Sequence, residues 1–546
     1  MLTLAVMRAS SGEPDLPEPR SFNLAWPFFR HSIESPGNPA LVLDGRVYSY
    51  AELALMAARI AGWLGGGRSA DSSKTHVAII ASRSLEAYAG ILGACWAGAA
   101  YVPINPKLPA LTLHRILQVA RPDAIIVDGA GWKRIEELGA IDGVPILPPG
   151  SLERPKPDPG NSPVLDGVRA VEEPVPVPGN RPAYVIFTSG TTGAPKGVVI
   201  RADSVRHFLD YGRSVYELNS ADRFSSYSEI SFDFSVLDLW LAWDSGASLH
   251  VVPEAQLMAP ARFIREHRLT FWASVPSVIG FLERLKQLKQ GSFPSLRISY
   301  FCGEALPVAS AVAWQRAAPN SVIDNHYGPT ESTVACSVER LSNPPRTTPG
   351  RDIIPIGRPY PGMRLAIVDE AGGFLPPGET GELALSGPQI AAGYLDAIEL
   401  TQARFRQLDH PELGLSRWYL TGDLAFEDAE GTFHHLGRVD YQVKILGHRI
   451  ELEEVDAHLR EVCGCGSAAA VAWPMHHGTA DGIVAFVAGS SLGPGEIMNR
   501  LKARVAPYAM PREIVSLPTL PLTHNGKTDR NALLSMLEER GHVIGS

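Results

Sequence analysis

Cysteine is scarce in this 546-residue chain: five residues, at 95, 302, 336, 463 and 465. An odd, scattered set excludes a disulfide framework. Cys463 and Cys465 have no second pair nearby, which leaves them short of a metal site. His434-His435 and His476-His477 fail for another reason, since adjacent residues of a strand point to opposite faces. Positive charge is also in deficit: 49 Lys and Arg against 58 Asp and Glu give a formal net charge of −9, with no acidic block. That balance argues against general nucleic-acid binding, which needs a basic face. No apolar run approaches the roughly 20 residues of a membrane span. Leu2 to Met7 is too short for a signal-peptide core and lacks a basic leader. A cytoplasmic protein, with neither nucleic acid nor membrane as partner, is expected.

What is present is the composition of a globular protein, 45% hydrophobic and 20% charged. The length calls for several compact units. A helical pattern over Ala51 to Leu64 leads to the strand His76 to Ile80, a helix from Leu85 to Trp96 and a strand at Tyr101 to Ile104. Ala124 to Val127 continues the alternation, the signal of a parallel α/β sheet. Pro148 to Pro182 is proline and polar residues, read as a surface connection. A second α/β series is expected from Val198 to about Leu341, with strands at Leu249 to Val252 and Ile298 to Phe301. Beyond Gly350 short strands such as Leu365 to Val368 and Gly381 to Leu385 predict a β-rich subdomain. After Asp440 a small α+β unit follows: helix Glu453 to Val462, strands Ala468 to Ala472 and Ile483 to Ala488, and helix Glu496 to Val505.

The most informative segment is Tyr184-Val185-Ile186-Phe187-Thr188-Ser189-Gly190-Thr191-Thr192-Gly193-Ala194-Pro195-Lys196-Gly197. A β-branched and aromatic strand opens into hydroxyls, glycines and one lysine. Gly190, Gly193 and Gly197 permit positive φ or close approach to a ligand. Successive N–H groups there can form an anion-binding nest, Thr188, Ser189, Thr191 and Thr192 add donors, and Lys196 adds charge. A flexible polar turn is the bland alternative. The spacing is not that of a Walker loop. Gly526-Lys527-Thr528 imitates the Walker ending, but Pro521 stands where its upstream glycine is required. Leu64-Gly65-Gly66-Gly67-Arg68-Ser69 is read as a glycine-rich helix terminator, not a phosphopantetheine-bearing serine.

This segment resembles the signature of the adenylate-forming superfamily, which includes acyl-CoA synthetases, luciferases and the adenylation domains of nonribosomal peptide synthesis. Further motifs follow in the family's order: Tyr48-Ser49-Tyr50-Ala51-Glu52-Leu53, Ala97 to Pro106, Tyr327-Gly328-Pro329-Thr330-Glu331, Thr421-Gly422-Asp423, Gly437-Arg438-Val439-Asp440 and Asn525 to Arg530. The resemblance runs from about Phe28 to Arg530. It implies a large AMP-binding domain over 1–439, two α/β subdomains plus the β-rich one, and a small mobile α+β domain over 440–546. It also implies ATP and Mg²⁺, with Glu331 holding the metal and Thr192, Lys196 and Lys527 joining it in catalysis. Lys527 would bridge the attacking carboxylate and the α-phosphate. Thr188, Ser189, Gly190, Thr191, Gly193, His326, Tyr327, Gly328, Thr330, Asp423 and Arg438 would surround the nucleotide, with Asp423 on the ribose hydroxyls. Asp440 would be the hinge about which the small domain alternates between adenylation and thioester formation. Gly447 would line a pantetheine tunnel. Taken alone, an Asp in a turn or a Lys near a C-terminus is surface decoration; their order and flanking residues argue otherwise.

Phe232-Asp233-Phe234-Ser235 narrows the substrate. In amino-acid-activating members the matching aspartate binds the α-ammonium group. A carboxylate among Phe232, Phe234 and Leu237 is costly unless paired with a cation, which a protein Arg or Lys could also supply. By the same resemblance the pocket comprises Asp233, Phe234, Leu237, Ala273, Tyr300, Cys302, His326, Val334, Ala335 and Lys527. Local sequence is similar to D-alanine–carrier-protein ligases, so a small or medium uncharged amino acid is expected. Cys302 could equally be a packed core thiol, because its apolar surroundings offer no activating cation. Leu420 and Ala392 depart from the family, which carries basic residues there. The sequence runs only a short way past Lys527, so the acceptor is expected to be a separate phosphopantetheinylated carrier protein and the enzyme a monomer. An acyl-CoA synthetase and a degenerate nucleotide-binding regulator are the competing readings. Asp233 speaks against the first, and Lys196, Glu331, Asp423 and Lys527 together against the second.

Overall fold

A computed structural model describes residues 22–65, 75–139, 143–152, 165, 167–189, 195–438, 442–445, 447–464, 467–476, 479–522 and 528–544. The expected mixed α/β architecture is present. A seven-stranded sheet has Ala100–Ile104 at its centre, with His76–Ile80 and then Ala124–Val127 parallel on one side, and Pro182–Thr188 and then Lys196–Arg201 on the other. Strands buried on both faces need the continuous apolar runs seen here. Ser49 starts the helix Tyr50–Trp63 with a capping box: its hydroxyl accepts from Glu52 N, and its own N–H donates to the Glu52 carboxylate at 2.8 Å. Every residue of the helix Leu85–Trp96 except Glu86 is buried, which accounts for its lack of a polar face.

The second sheet has nine strands, with Ser248–Val251, Arg223–Ser226, Phe271–Ser274, Ile298–Phe301 and Val322–Tyr327 in parallel succession. Its membership differs from a simple division along the chain. Lys196–Arg201, the strand that opens the series beginning at Val198, pairs antiparallel with Pro182–Thr188 and belongs to the first sheet. Pro39–Leu43 and Arg46–Ser49 precede every strand of the first sheet, yet form the far edge of the second through Leu41 opposite Leu249. A hairpin across the phosphate loop keeps Lys196 opposite Thr188, and that local pairing decides where the strand goes. The connection before the loop runs over the helices: Val171 N donates to Ala58 O and Val175 N to Trp96 O.

Arg364–Val368, Gly381–Ser386, Phe405–His410, Gly414–Glu427 and Phe433–Arg438 make the five-stranded β-rich unit. From Gln442 onward the chain builds its own apolar core, with Leu452–Cys463 packed on Ser467–Ala472 and Ile483–Ala488. Pro494–Leu501 ends four residues before the expected Val505. There Arg504 N bonds back only three residues to Leu501 O, a tightening into turn ahead of Pro507. Among the described residues no helix is long and apolar enough to cross a membrane.

Candidate active site

Strand ends from both sheets and a hairpin of the small unit converge on one place. Thr188 and Ser189 end a strand of the first sheet, and Lys196 begins its antiparallel partner. Gly190, Thr191, Thr192 and Gly193 lie outside the described residues, as do Asp440 and Lys527. The Thr188 hydroxyl is buried and has no hydrogen-bond partner among the described residues. Such a group calls for a polar ligand.

From the second sheet, Val322–Tyr327 runs into Gly328 and the 3₁₀ turn Thr330–Ser332. A Cβ on Gly328 would fall 2.5 Å from Ala335 Cα, so the close turn requires glycine. Thr333 and Val334 then take φ of 59° and 71°, a costly region for a β-branched residue. Gln389, which no sequence motif marks, holds that turn: its amide donates to Ser332 O at 3.1 Å and Ala335 O at 2.7 Å, while Thr333 Oγ1 donates to Gln389 O at 2.6 Å. The strained turn places Glu331, fully buried, beside Lys196 at the start of its strand.

Glu331 is surrounded by donors. Lys196 Nζ lies 3.5 Å from Oε1, Tyr394 donates to Oε1 at 2.8 Å, and Arg449 Nη1 donates to Oε2 at 3.0 Å. Burial alone would raise its pKa, but Arg449 and Lys196 hold it well below the usual carboxylate range. Burial pulls Lys196 down to about 8, with Arg449 adding to the depression and Glu331 opposing it. Magnesium is commonly held by one or two carboxylates together with substrate phosphates, so Glu331 has suitable chemistry. In this arrangement, however, the carboxylate is taken by two cations and a tyrosine, and does not fit a metal as it stands. Among the described residues no group of three His, Cys, Asp or Glu gathers elsewhere for one.

Across the site, Asp423 sits on Gly414–Glu427, opposite Arg438 on Phe433–Arg438. Arg438 donates to Asp423 Oδ1 at 2.7 Å, the Tyr327 hydroxyl donates to Oδ2, and His435 Nε2 lies 3.5 Å from Oδ1. Although burial opposes it, Arg438 and His435 keep this carboxyl ionised far below its ordinary pKa.

Asp233 opens the turn Phe234–Val236, which continues into a π-helical segment over Leu237–Leu241. Its carboxyl is buried, pushed up to about 6 by desolvation, and bonded to the Thr330 hydroxyl. Lys444 favours its charged form from a distance, but no ion pair to Asp233 exists among the described residues. Phe234, Leu237, Ala273, Tyr300, Cys302, Val334 and Ala335 share one buried core cluster. Tyr300 stacks on His326 at 3.6 Å and meets Phe234 edge-on at 6.0 Å. His326 is locked from behind: the Tyr216 hydroxyl lies 2.9 Å from Nε2 and that of Tyr360 lies 2.6 Å from Nδ1. Burial drives its pKa down to about 3, so the ring is a neutral wall. The Cys302 thiol is pushed up to about 12 by burial, the behaviour of a packed thiol.

The small unit closes the site with the hairpin Gln442–Ile445 and His448–Glu451. Gly447 N donates to the buried Glu304 at 2.8 Å, and Ser189 Oγ donates to Arg449 O at 2.9 Å. Gly447 has φ of 81°, and a Cβ there would meet Val275 Cγ1 at 2.5 Å. A cleft of about 1090 Å³, including its open mouth, runs between the units past Thr188, Ser189, Phe232, Thr330, Arg449 and Tyr508. Sequence reasoning does not reach Tyr394 and Arg449 as site residues. Their signal lies two positions beyond residues it does single out, Ala392 and Gly447.

The sequence profile of the AMP-binding enzymes matches residues 28–395. Phenyloxazoline synthase MbtB of Mycobacterium tuberculosis is 32% identical over 523 residues, covering 94% of this chain and 35% of that protein. The D-alanine–D-alanyl carrier protein ligase of Bacillus velezensis is 28% identical, covering 89% of this chain and 93% of the ligase. The chain spans well under half the length of several synthetases that it matches. The Vibrio cholerae adenylation domain AlmE, solved with glycyl-adenosine-5'-phosphate, superposes with a TM-score of 0.82 at 31% identity, over 97% of this chain and all of that one. Fold, motif order and profile agree, and the chain belongs to the AMP-binding enzymes of the adenylate-forming superfamily.

Proposed function

We propose that this protein activates a small or medium uncharged amino acid as its aminoacyl adenylate and passes the acyl group to the phosphopantetheine thiol of a separate carrier protein. The observation that carries this reading is Asp233. A buried carboxylate without an ion pair costs several kcal/mol, and the α-ammonium group of an amino acid would offset that cost. The stacked wall of Tyr300 and His326, tied to Tyr360, offers no charge to an acidic or basic side chain. Glycine and alanine head the candidates. The Vibrio cholerae neighbour holds a glycyl adenylate, and the Bacillus velezensis relative is a ligase for D-alanine.

In the first half-reaction the substrate carboxylate attacks the α-phosphate of ATP and pyrophosphate leaves. Lys196, with the donors of the phosphate loop, neutralises the approach of anion to polyanion. Magnesium, when bound, would supply further positive charge to the phosphates. Asp423, held ionised by Arg438, accepts from the ribose hydroxyls, and Tyr327 lies beside the base. In the second half-reaction a thiol reaching the site along the cleft attacks the acyl carbon, and AMP is the leaving group.

Intact-mass measurement tests the pathway. Enzyme, ATP, magnesium and glycine or alanine should add one aminoacyl mass to a carrier protein bearing phosphopantetheine, and nothing to the same carrier without its arm. Efficient release of aminoacyl-CoA, with every arm-bearing carrier untouched, would overturn the carrier assignment.

A further inference from the structure

The imidazole of His326 stands in the middle of a hydrogen-bond chain that begins at the protein surface. Asp324 and His326 are alternate residues of Val322–Tyr327, so both project from the same face of the sheet. Arg340 is exposed and lies directly opposite Asp324 on the neighbouring strand, where it grips that carboxylate through two bonds of 2.8 and 2.9 Å. We propose that Tyr216 and Tyr360 are positioning residues for substrate specificity: they fix His326 as its Nε2–H tautomer, flat against Tyr300, and so set where a substrate side chain must stop. This rests on the reading of Tyr300 and His326 as a wall of the amino acid pocket.

The positions of the protons follow from counting donors. A carboxylate bound to a guanidinium only accepts. The single proton of the Tyr216 hydroxyl therefore goes to Asp324, at 2.8 Å. Burial, with Asp324 beside it, keeps that phenol protonated. Its oxygen has only lone pairs left for His326 Nε2, 2.9 Å away, so Nε2 carries the hydrogen. The ring is neutral, which leaves Nδ1 a bare acceptor for the Tyr360 hydroxyl at 2.6 Å. Tyr360, with its proton spent, accepts from Tyr300 at 3.4 Å. Every proton points the same way, from Tyr300 towards Asp324. The ring planes are fixed as well: Tyr211 stacks on Tyr360 at 3.7 Å, and Tyr300 on His326 within 9° of parallel. Groups locked from behind in this way hold a site's shape closely, and one methylene in such a pocket is discriminated roughly 10–200-fold.

Heteronuclear NMR of the intact protein, with its histidine rings isotopically labelled, reads the tautomer; the His326 signal is assigned by its loss in His326→Gln. Pyrophosphate exchange with glycine, alanine, 2-aminobutyrate and norvaline reads the wall. The unaltered protein should show hydrogen on Nε2. In Tyr216→Phe nothing obliges the proton to stay there, so both tautomers should appear. The preference for glycine or alanine over norvaline should shrink by about fivefold or more, mainly through a lower KM for the longer substrate. Tyr360→Phe leaves Tyr216 in place and should keep the Nε2–H tautomer, yet relax the preference as far, because Nδ1 and Tyr300 lose their tether. An Nδ1–H signal in the unaltered protein would overturn the proposal. So would a uniform fall in kcat for every substrate with the same tautomer in both variants, which is the mark of a merely structural role. If the unaltered enzyme exchanges pyrophosphate with none of these amino acids, the amino acid reading itself falls. If it does so and neither variant alters the preference, only the positioning role falls.

Discussion

At the scale of single residues, the role proposed for Asp233 sets chemistry against stability. Its folded-state pKa of about 6 lies above the ordinary 3.8. The folded state therefore gains from holding this proton below the unfolded pKa, and the gain is lost as pH rises through about 6. At neutral pH the carboxylate sits in a place that disfavours its charge. Asp233→Asn should accordingly raise the thermal stability of the ligand-free protein at pH 7–8, by on the order of 2 kcal/mol, and have little effect near pH 4. The same change should lower amino acid activation at least about tenfold, the loss of roughly 1.4 kcal/mol of pairing with the ammonium group. For the unaltered enzyme, activation should fall as pH drops through 6 and Asp233 takes up its proton. Pyrophosphate exchange across pH, alongside melting curves, checks all three. The burial of Asp233 was legible because it stands between two phenylalanines. Arg449 was not, because an arginine in an exposed-looking hairpin gives no sign of a carboxylate 118 positions earlier in the chain.

Among the elements, the hairpin that carries Gly447 has little freedom to change at that position. Positive φ already disfavours any side chain, and Val275 blocks the space a Cβ would need. Gly447→Val should slow acyl transfer from a preformed adenylate by about tenfold or more, an effect of at least about 1.4 kcal/mol. If the small unit alternates between two positions as the family resemblance implies, adenylate formation does not call on this one and should stay within about twofold. Comparable loss in both half-reactions would show that the hairpin serves the fold generally. Strands such as His76–Ile80 and Ile298–Phe301 were readable because burial on both faces demands unbroken apolar runs. The π-helical segment after Asp233 and the strained turn at Thr333 and Val334 were not. The turn is held by a glutamine 56 positions further along, and no local propensity announces either.

For the whole molecule, the observed arrangement brings one side of the small unit to the site through Gly447 and Arg449, whereas the expected role of Lys527 belongs to the other half-reaction. Lys527→Ala should reduce adenylate formation by about 10²–10³-fold, the scale for losing a preorganised charge. It should leave transfer from a supplied adenylate to thiol much less affected. Equal losses would contradict a division of labour between two positions of the unit. The division into two α/β subdomains and a β-rich one was legible from the changing texture of the sequence. The exchange of edge strands between the sheets was not, because strand pairing over long separations leaves no mark on periodicity.

That exchange bears on how the chain acquires its shape as it is made. Pro39–Leu43 pairs with Ser248–Val251, about 200 residues further along. At the usual 5–20 residues per second, a ribosome needs on the order of 10–40 s to supply that partner. Throughout that interval an apolar strand emerges early and waits, while the sheet encoded next to it assembles without it. The first sheet is itself incomplete until Gly393–Tyr394 arrives beside Lys196–Arg201, and this comes after the long connection that straps the helices and after the parallel strands of the second sheet. Neither half can be finished before the other has begun, so the newborn chain has no early stopping point at which a folded fragment could be released.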